Sequence, residues 1–167
     1  DVVSSTFAAV YVPFLASFVV LMMAAWHNAW VFVVFELMVI ANDTGGWAAG
    51  VMFGKHPMAP ALSPKKSWEG FAGSALTAIA VGVVGLWLLG ASWWWGVVAG
   101  ISIAFVGTMG DLTESLIKRE AGLKDMSQIL PGHGGVLDRV DALLMSAPVA
   151  YFIFAWALPG ISWESSH

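Results

Sequence analysis

The chain has 167 residues and a formal net charge of -4; 59% of the residues are hydrophobic, 11% are charged, and the mean hydropathy is +0.79. Soluble domains carry about a quarter charged residues and cannot bury so much apolar surface, so the composition excludes an ordinary soluble protein and favours a bilayer setting. The lack of cysteine excludes disulfides and thiolate metal sites, and the sequence has no basic run of the kind that binds nucleic acid.

Five stretches have the length and composition of a membrane-spanning helix, which needs about 20 mostly apolar residues. In chain order, the predicted spans are residues 7–25, 29–54, 71–90, 93–110 and 140–158. The predicted fold class is therefore an all-α polytopic membrane protein, with one membrane-embedded domain over residues 1–167. Residues 1–6 contain no Met, no basic segment and no signal-peptide cleavage site, so we expect the sequence to start inside a longer protein.

The positive residues are confined to two polar segments. All seven Lys and Arg residues lie within residues 55–70 or 111–139, and the bends at residues 27–28 and 90–92 contain none. Two predicted spans separate the polar segments, so both lie on the same side of the membrane. Because positive loops are retained in the cytoplasm, we expect both segments to face it and to share a site.

The second predicted span is interrupted by the sequence Asn-Asp-Thr-Gly-Gly at residues 42–46. One interpretation is that the backbone breaks there, so that Asp43 lines a cavity. The alternative is that the span ends at Ala41 and leaves Asp43 in interfacial water. Glu36 lies deeper in the same span, where contact with lipid is costly, and we expect it to face the protein interior.

The segment before the third span places Ser63, Lys65, Lys66 and Glu69 close together. Adjacent lysines at a cytoplasmic helix start are commonly topology signals or contacts to anionic headgroups. The sequence Ser-Pro-Lys-Lys-Ser-Trp-Glu-Gly is more particular than such a signal requires, which favours a substrate-binding segment.

The segment that follows the fourth span contains polar residues at helical spacing. If the helix continues past residue 110, Asp111, Ser115 and Lys118 lie at i, i+4 and i+7 on one face. An ordinary solvated helix end is the alternative interpretation.

Residues 131–135 read Pro-Gly-His-Gly-Gly, which predicts a tight loop that phosphate oxygens can approach closely. Asp138 and Asp141 follow on one face of the next helix. A helix cap accounts for Asp138 alone. Asp141, however, lies where the apolar run has begun, and ionisable residues at membrane depth are usually functional.

Carboxylates, cations and a glycine-rich loop are thus predicted at one membrane face. Oxygen ligands without thiols favour Mg²⁺, which binds one or two carboxylates together with substrate phosphates. The sequence shows neither a Ser-His-Asp pattern nor a Walker-type glycine run. The residue types therefore indicate metal-dependent phosphoryl or nucleotidyl transfer at a bilayer surface.

Residues 115–141 resemble the signature of the phosphatidate cytidylyltransferase (CDP-diacylglycerol synthase) family. The matching positions are Ser115, Lys118, Arg119, Lys124, Asp125, His133, Gly134, Gly135, Val136, Asp138, Arg139 and Asp141. Residues 63–70 and 42–47 resemble two further segments of the same family. The similarity extends from about residue 39 to the C-terminus, and members of the family usually have additional N-terminal spans.

The resemblance implies the reaction of CTP with phosphatidic acid to give CDP-diacylglycerol and pyrophosphate, in the bacterial cytoplasmic membrane. It implies a Mg²⁺ centre on Asp111 and Asp138, a second, monovalent cation beside it, and a homodimer. Catalytic roles fall on Asp111, Asp138, Lys118, Arg119 and Asp141. Substrate-binding roles fall on Ser63, Lys65, Lys66, Ser115, Lys124, Asp125, His133, Gly134, Gly135, Arg139 and Asp43.

Two other functions compete with this one. A CTP-dependent polyprenol or phytol kinase would transfer the γ-phosphoryl group and release CDP instead of pyrophosphate. An ion transporter would use Asp43, Asp111 and Asp141 as a relay, but transporters place such sites near the bilayer midplane, whereas these polar residues cluster at one face.

Overall fold

The computed structural model describes residues 2–120 and 134–158. Within these ranges the chain forms five helices and one two-stranded antiparallel hairpin. The elements are α1 (Val2–Trp26), α2 (Ala29–Phe53), β1 (Pro57–Ala59), β2 (Ser63–Ser67), α3 (Trp68–Leu88), α4 (Trp93–Glu120) and α5 (Gly134–Ala157). The predicted all-α polytopic fold is confirmed, and the short hairpin is an addition to it.

Three helices are long and apolar enough to cross a membrane. They are α2 over Ala29–Phe53, α3 over Trp68–Leu88, and the part of α4 from Trp93 to Thr113. The other two predicted spans are also helical, and their apolar portions in the described chain are the shorter stretches Pro13–Trp26 and Leu143–Ala157. Length and composition therefore support a helical membrane protein.

Helix α2 runs without a break through residues 42–46, so the interpretation in which the backbone breaks there is wrong, whereas the position of Asp43 in interfacial water stays a prediction. The helix neither opens at the glycines nor ends at Ala41. The two glycines leave room for α3 instead: a Cβ atom at Gly45 would lie 2.1 Å from Thr77 Oγ1, and one at Gly46 would lie 2.2 Å from Ser74 Oγ. The cost of glycine in a helix is offset here by close packing.

The contact between α2 and α3 is closest around Gly45 and Gly73. A Cβ atom at Gly73 would lie 2.3 Å from Ala49 Cβ and 2.7 Å from the carbonyl oxygen of Gly45. At the same level the Thr77 hydroxyl lies 2.7 Å from the carbonyl oxygen of Ala41 on α2. Because the two backbones approach so closely, a side-chain hydroxyl can bond directly to the backbone of the neighbouring helix.

Glycines also bring α4 against α3. A Cβ atom at Gly96 would lie 2.3 Å from the backbone nitrogen of Val83, and one at Gly100 would lie 2.6 Å from Ile79 Cα. The turn between the two helices contains Gly90, whose φ of 91° is a conformation that glycine adopts readily and other residues rarely adopt.

An apolar core joins α2 and α4 to α1 and α5. Phe35 and Met38 of α2, Ile103 of α4 and Phe154 of α5 are fully buried in it. Tyr151 of α5 makes ring contacts with aromatic side chains of α1. Dispersion contacts of this kind hold a membrane bundle together, since lipid is as apolar as the side chains.

Glu36 lies on the exposed face of α2, so the prediction that it faces the protein interior is wrong. Its neighbours Phe35 and Met38 are both fully buried and occupy the inner face of the helix. The helical period therefore turns the Glu36 side chain away from the core.

The tight glycine contact leads to a prediction about stability. Gly45→Ala is expected to lower the stability of the protein by about 1–3 kcal/mol, because its methyl group would overlap Thr77. Thermal unfolding of the full-length protein in detergent measures the effect. Gly50→Ala is the matched control on α2, since its Cβ atom would meet nothing closer than 3.7 Å. Equal stability of the two variants would show that α2 and α3 do not pack as described.

Candidate active site

The hairpin reaches across the bundle to α4 through one ion pair. Lys66 on β2 donates a hydrogen bond from Nζ to Oδ2 of Asp111, 45 residues away in sequence. The two side chains remain 34% and 42% exposed, so the pair is open to ligands. The parts of the two polar segments that the structure describes therefore meet at the same end of the helix bundle.

A pocket lies beneath this ion pair, between α2, α3, α4 and β2, with a volume of about 70 Å³. Glycines and hydroxyl-bearing residues make up much of its lining, together with the two hairpin lysines. The lining residues are Gly46, Gly50, Met58, Lys65, Lys66, Ser67, Gly70, Phe71, Ser74 and Thr108. Of the predicted substrate-binding residues, Lys65 and Lys66 thus lie at the pocket, whereas Ser63 begins β2 and does not line it.

Two residues of the pocket were missed by sequence reasoning. Ser74 of α3 and Thr108 of α4 are each only 8% exposed, and both line the pocket. Their spacing carries a weak signal, since Ser74 lies one turn after Gly70 and Thr108 lies three residues before Asp111. Serine and threonine are common at helix contacts in membranes, so spacing alone does not mark them as functional.

Asp43 lies one turn deeper than the pocket. It is half-buried, and it shares a face of α2 with Gly46 and Gly50 through the spacing i, i+3, i+7. Its Oδ1 atom accepts a hydrogen bond of 3.3 Å from Nδ2 of the buried Asn42. The structure therefore places Asp43 below the candidate site and outside the pocket lining.

The base of the hairpin is closed by His56 and Glu69. Nδ1 of His56 lies 2.6 Å from Oε1 of Glu69, and the His56 backbone N–H donates to Oε2 at 3.3 Å. A backbone hydrogen bond adds to this contact: the Trp68 N–H donates to the His56 carbonyl oxygen at 3.0 Å. Ser67 caps α3 by accepting from Gly70 N–H at 3.1 Å. These contacts set the position of β2, and with it the position of Lys66.

Helix α4 continues to Glu120, which confirms the helical spacing predicted for Asp111, Ser115 and Lys118. Asp111 and Ser115 are half-buried and Arg119 is exposed. For Lys118 the structure describes only the backbone, on the same face of the helix.

Helix α5 brings two further aspartates to the same end of the bundle. Gly110 of α4 contacts α5 at Met145, because a Cβ atom at Gly110 would lie 2.7 Å from Met145 Sδ. Asp141 lies one turn and Asp138 two turns before Met145, so their backbone is within about 10 Å of the level of Asp111 along the helix axis. Arg139 lies between them.

Gly134 and Gly135 are the first residues of α5, so the prediction that they lie in a loop is wrong. Glycine is tolerated at a helix start, where the first N–H groups have no partner within the helix. The rest of the predicted glycine loop, together with Lys124, Asp125 and His133, lies outside the described residues.

The carboxylate of Asp111 has the properties that a divalent cation requires. It is a half-exposed oxygen ligand, and its present partner is the Lys66 ammonium, which a metal ion would have to share or displace. Within residues 2–120 and 134–158, no group of three or more His, Cys, Asp or Glu side chains forms a metal cluster. Mg²⁺ commonly binds one or two carboxylates and completes its shell with phosphates and water. Asp111 together with Asp138 fits that pattern by residue type, and this pair stays a prediction.

The helices and the polar site define an integral membrane protein with a basic, carboxylate-containing site at one end of its helix bundle. The chain belongs to the cytidylyltransferase family, whose family model matches residues 1–157. The resemblance seen in the sequence is thereby confirmed.

Several curated relatives carry the name phosphatidate cytidylyltransferase. That of Mycobacterium bovis is 45% identical over 155 residues, which cover 92% of this chain and 50% of that protein. That of Haemophilus influenzae is 39% identical over 136 residues, which cover 77% of this chain and 47% of the relative. The chain spans about half the length of the curated relatives that it matches.

The contact between Lys66 and Asp111 can be tested by cross-linking. A Lys66→Cys/Asp111→Cys variant is expected to react efficiently with a short bifunctional thiol reagent, because the two side chains touch. The matched control is Lys66→Cys/Thr113→Cys, since Thr113 lies about 200° around α4 from Asp111 at nearly the same height. Cross-linked product is read by mass spectrometry of proteolytic peptides. Similar yields for both pairs would contradict the described position of the hairpin.

Proposed function

We propose that the protein containing this chain is a CTP:phosphatidate cytidylyltransferase, which makes CDP-diacylglycerol and pyrophosphate from CTP and phosphatidic acid. The observation that carries the proposal is the contact between Lys66 and Asp111. It joins two motif segments, 45 residues apart, into one site at the membrane surface. Membership of the cytidylyltransferase family and the names of the relatives support the same reaction.

The chemistry requires two polyanions to meet. A phosphate oxygen of phosphatidic acid attacks the α-phosphorus of CTP, and the bond from that phosphorus to the α,β-bridging oxygen breaks. Pyrophosphate leaves with the bonding electrons. The attacking oxygen is already anionic and needs no general base, so the protein has to offset repulsion and orient the reactants.

The cations of the site match that task. Lys65 and Lys66 line the pocket and are proposed to bind phosphate oxygens. Lys118, Arg119 and Lys124 are proposed to hold the triphosphate and stabilise the leaving pyrophosphate. His133 and Arg139 are proposed to contribute to the nucleotide side of the site.

Asp111 and Asp138 are proposed to hold Mg²⁺, which when bound would neutralise phosphate charge and help to align the reacting groups. In the structure Asp111 is held by Lys66, so the lysine also orients the carboxylate. Asp141, one turn from Asp138, is proposed to orient the cations of the site through hydrogen bonds.

The proposed setting is the bacterial cytoplasmic membrane, with the hairpin and the end of α4 facing the cytoplasm. All seven Lys and Arg residues of the chain lie in the two segments at this face, as expected for cytoplasmic loops. In this orientation CTP arrives from the aqueous side and the lipid substrate arrives from the bilayer.

The orientation is tested with single cysteines, which the chain itself lacks. In right-side-out membrane vesicles, Lys55→Cys is expected to be protected from a membrane-impermeant maleimide, and Asn28→Cys is expected to react. Inside-out vesicles should give the reverse pattern. Labelling of Lys55→Cys from outside would overturn the proposed topology.

The reaction is tested with labelled CTP, phosphatidic acid and Mg²⁺ on the full-length protein in liposomes, following both the lipid product and the leaving group. Asp111→Asn is expected to lower turnover at least about 100-fold, because an amide is a poorer ligand for the proposed Mg²⁺ and no longer forms the ion pair with Lys66. Glu36→Gln is the matched acid-to-amide control and should retain activity, since Glu36 faces away from the site.

Each product pattern discriminates between functions. CDP-diacylglycerol together with pyrophosphate supports the proposal. Release of CDP with phosphorylation of an added lipid alcohol would identify a CTP-dependent lipid kinase instead. Normal turnover of Asp111→Asn would remove this carboxylate from the mechanism.

A further inference from the structure

The pocket beneath the Lys66–Asp111 pair contains two hydroxyl groups that lack partners. Ser74 and Thr108 are both more than nine-tenths buried, and neither side chain makes a hydrogen bond with another described residue. Their oxygen atoms keep contact with the space of the pocket and are available to a ligand. Two such groups from different helices, open to one pocket, therefore suit a ligand that accepts hydrogen bonds.

The charge of the pocket selects an anion. Lys65 and Lys66 bring two ammonium groups to the pocket, of which that of Lys66 is paired with Asp111, and the described lining residues include no carboxylate. Ser67 is engaged already as the cap of α3, where it accepts from Gly70 N–H. The remaining groups are the Lys65 ammonium and two hydroxyls, together with the Lys66 ammonium that is shared with Asp111, and they match the oxygens of a phosphate group.

Glycine keeps the pocket open. A Cβ atom at Gly46 would lie 2.2 Å from Ser74 Oγ, so any side chain there would cover the hydroxyl. Gly50 and Gly70 line the same space without a side chain. The lack of side chains at these positions leaves the hydroxyl accessible. Close helix packing does not by itself require a glycine at Gly50, because a Cβ atom there would make only ordinary van der Waals contacts.

The depth of the pocket points to the lipid. Ser74 lies six residues into α3, about 9 Å along the axis from Trp68, where the helix leaves the hairpin. Thr108 lies on the apolar side of Asp111, one turn further into the membrane span of α4. A volume of about 70 Å³ holds several water molecules, and it suits a single phosphate group rather than a nucleoside.

We propose that Ser74 and Thr108, with Lys65 and Lys66, form the subsite for the phosphate group of the lipid substrate, on the membrane side of the Lys66–Asp111 pair. Its assignment to phosphatidic acid rests on the proposed function. The two hydroxyls distinguish the lipid phosphate from the triphosphate of CTP, which approaches from the aqueous side of the same ion pair.

Steady-state kinetics of the full-length enzyme test this division. Ser74→Ala and Thr108→Val are each expected to raise the KM for phosphatidic acid about tenfold, as for loss of one hydrogen bond to a charged group. The KM for CTP should change less than about twofold. Thr108→Ser keeps the hydroxyl and should restore the wild-type KM, which separates hydrogen bonding from packing. Thr113→Val, on the exposed side of α4, is the control.

A binding measurement keeps the test independent of turnover. Phosphatidic acid is expected to raise the unfolding temperature of the wild-type protein in detergent, and diacylglycerol, which lacks the phosphate, is not. The Ser74→Ala/Thr108→Val variant should lose this stabilisation. If inorganic phosphate alone raises the unfolding temperature as much as phosphatidic acid does, the pocket binds a free phosphate group and the lipid assignment is wrong.

The outcomes separate the two proposals. Turnover with unchanged KM values in both variants, or a rise confined to the KM for CTP, would overturn the subsite and leave the reaction in place. Stabilisation specific to phosphatidic acid without any formation of CDP-diacylglycerol would overturn the reaction and leave the subsite in place.

Discussion

The close approach of α2 and α3 at Gly45 and Gly73 is the constraint on which the rest of the structure depends. In a bilayer, helices gain little from hiding apolar side chains, so contact between backbones and small residues has to supply the association. The Thr77 hydroxyl adds a hydrogen bond across the same contact. Because α2 ends just before the hairpin and α3 begins just after it, the packing of these two helices holds the two ends of the hairpin close together at one end of the bundle.

From that contact the site follows in two steps. The caps at the start of α3 and the bonds between His56 and Glu69 hold β2 in place, and β2 carries Lys66 toward α4. Helix α4, packed on α3 through glycines, presents Asp111 at the same height. A lysine and an aspartate meet at a membrane surface, where the dielectric is lower than in water and phosphate charge is strongly felt. The proposed chemistry uses this field to bring two anionic substrates together.

Particular residues show how far the sequence predicted the site. The helical spacing of Asp111, Ser115 and Lys118 follows from the 3.6-residue period, and the structure has it. The sequence could not predict that residues 42–46 stay helical, because glycines beside a polar residue are compatible both with a continuous helix and with a break in the helix. Helix packing decided that question. Ser74 and Thr108 escaped notice for a similar reason, since their significance depends on three helices converging on one pocket.

The sequence by itself determined the membrane setting, the approximate helix bounds, the common side of the two basic segments and the family signature. Each of these depends on composition, local period or residue identity, which are properties of short stretches of chain. Only the tertiary structure decided the course of α2 past Ala41, the outward position of Glu36, the pairing of Lys66 with Asp111, and the pocket of hydroxyls beneath it. These features depend on how closely distant segments pack, and the steric fit between two helices cannot be determined from the sequence of either helix alone.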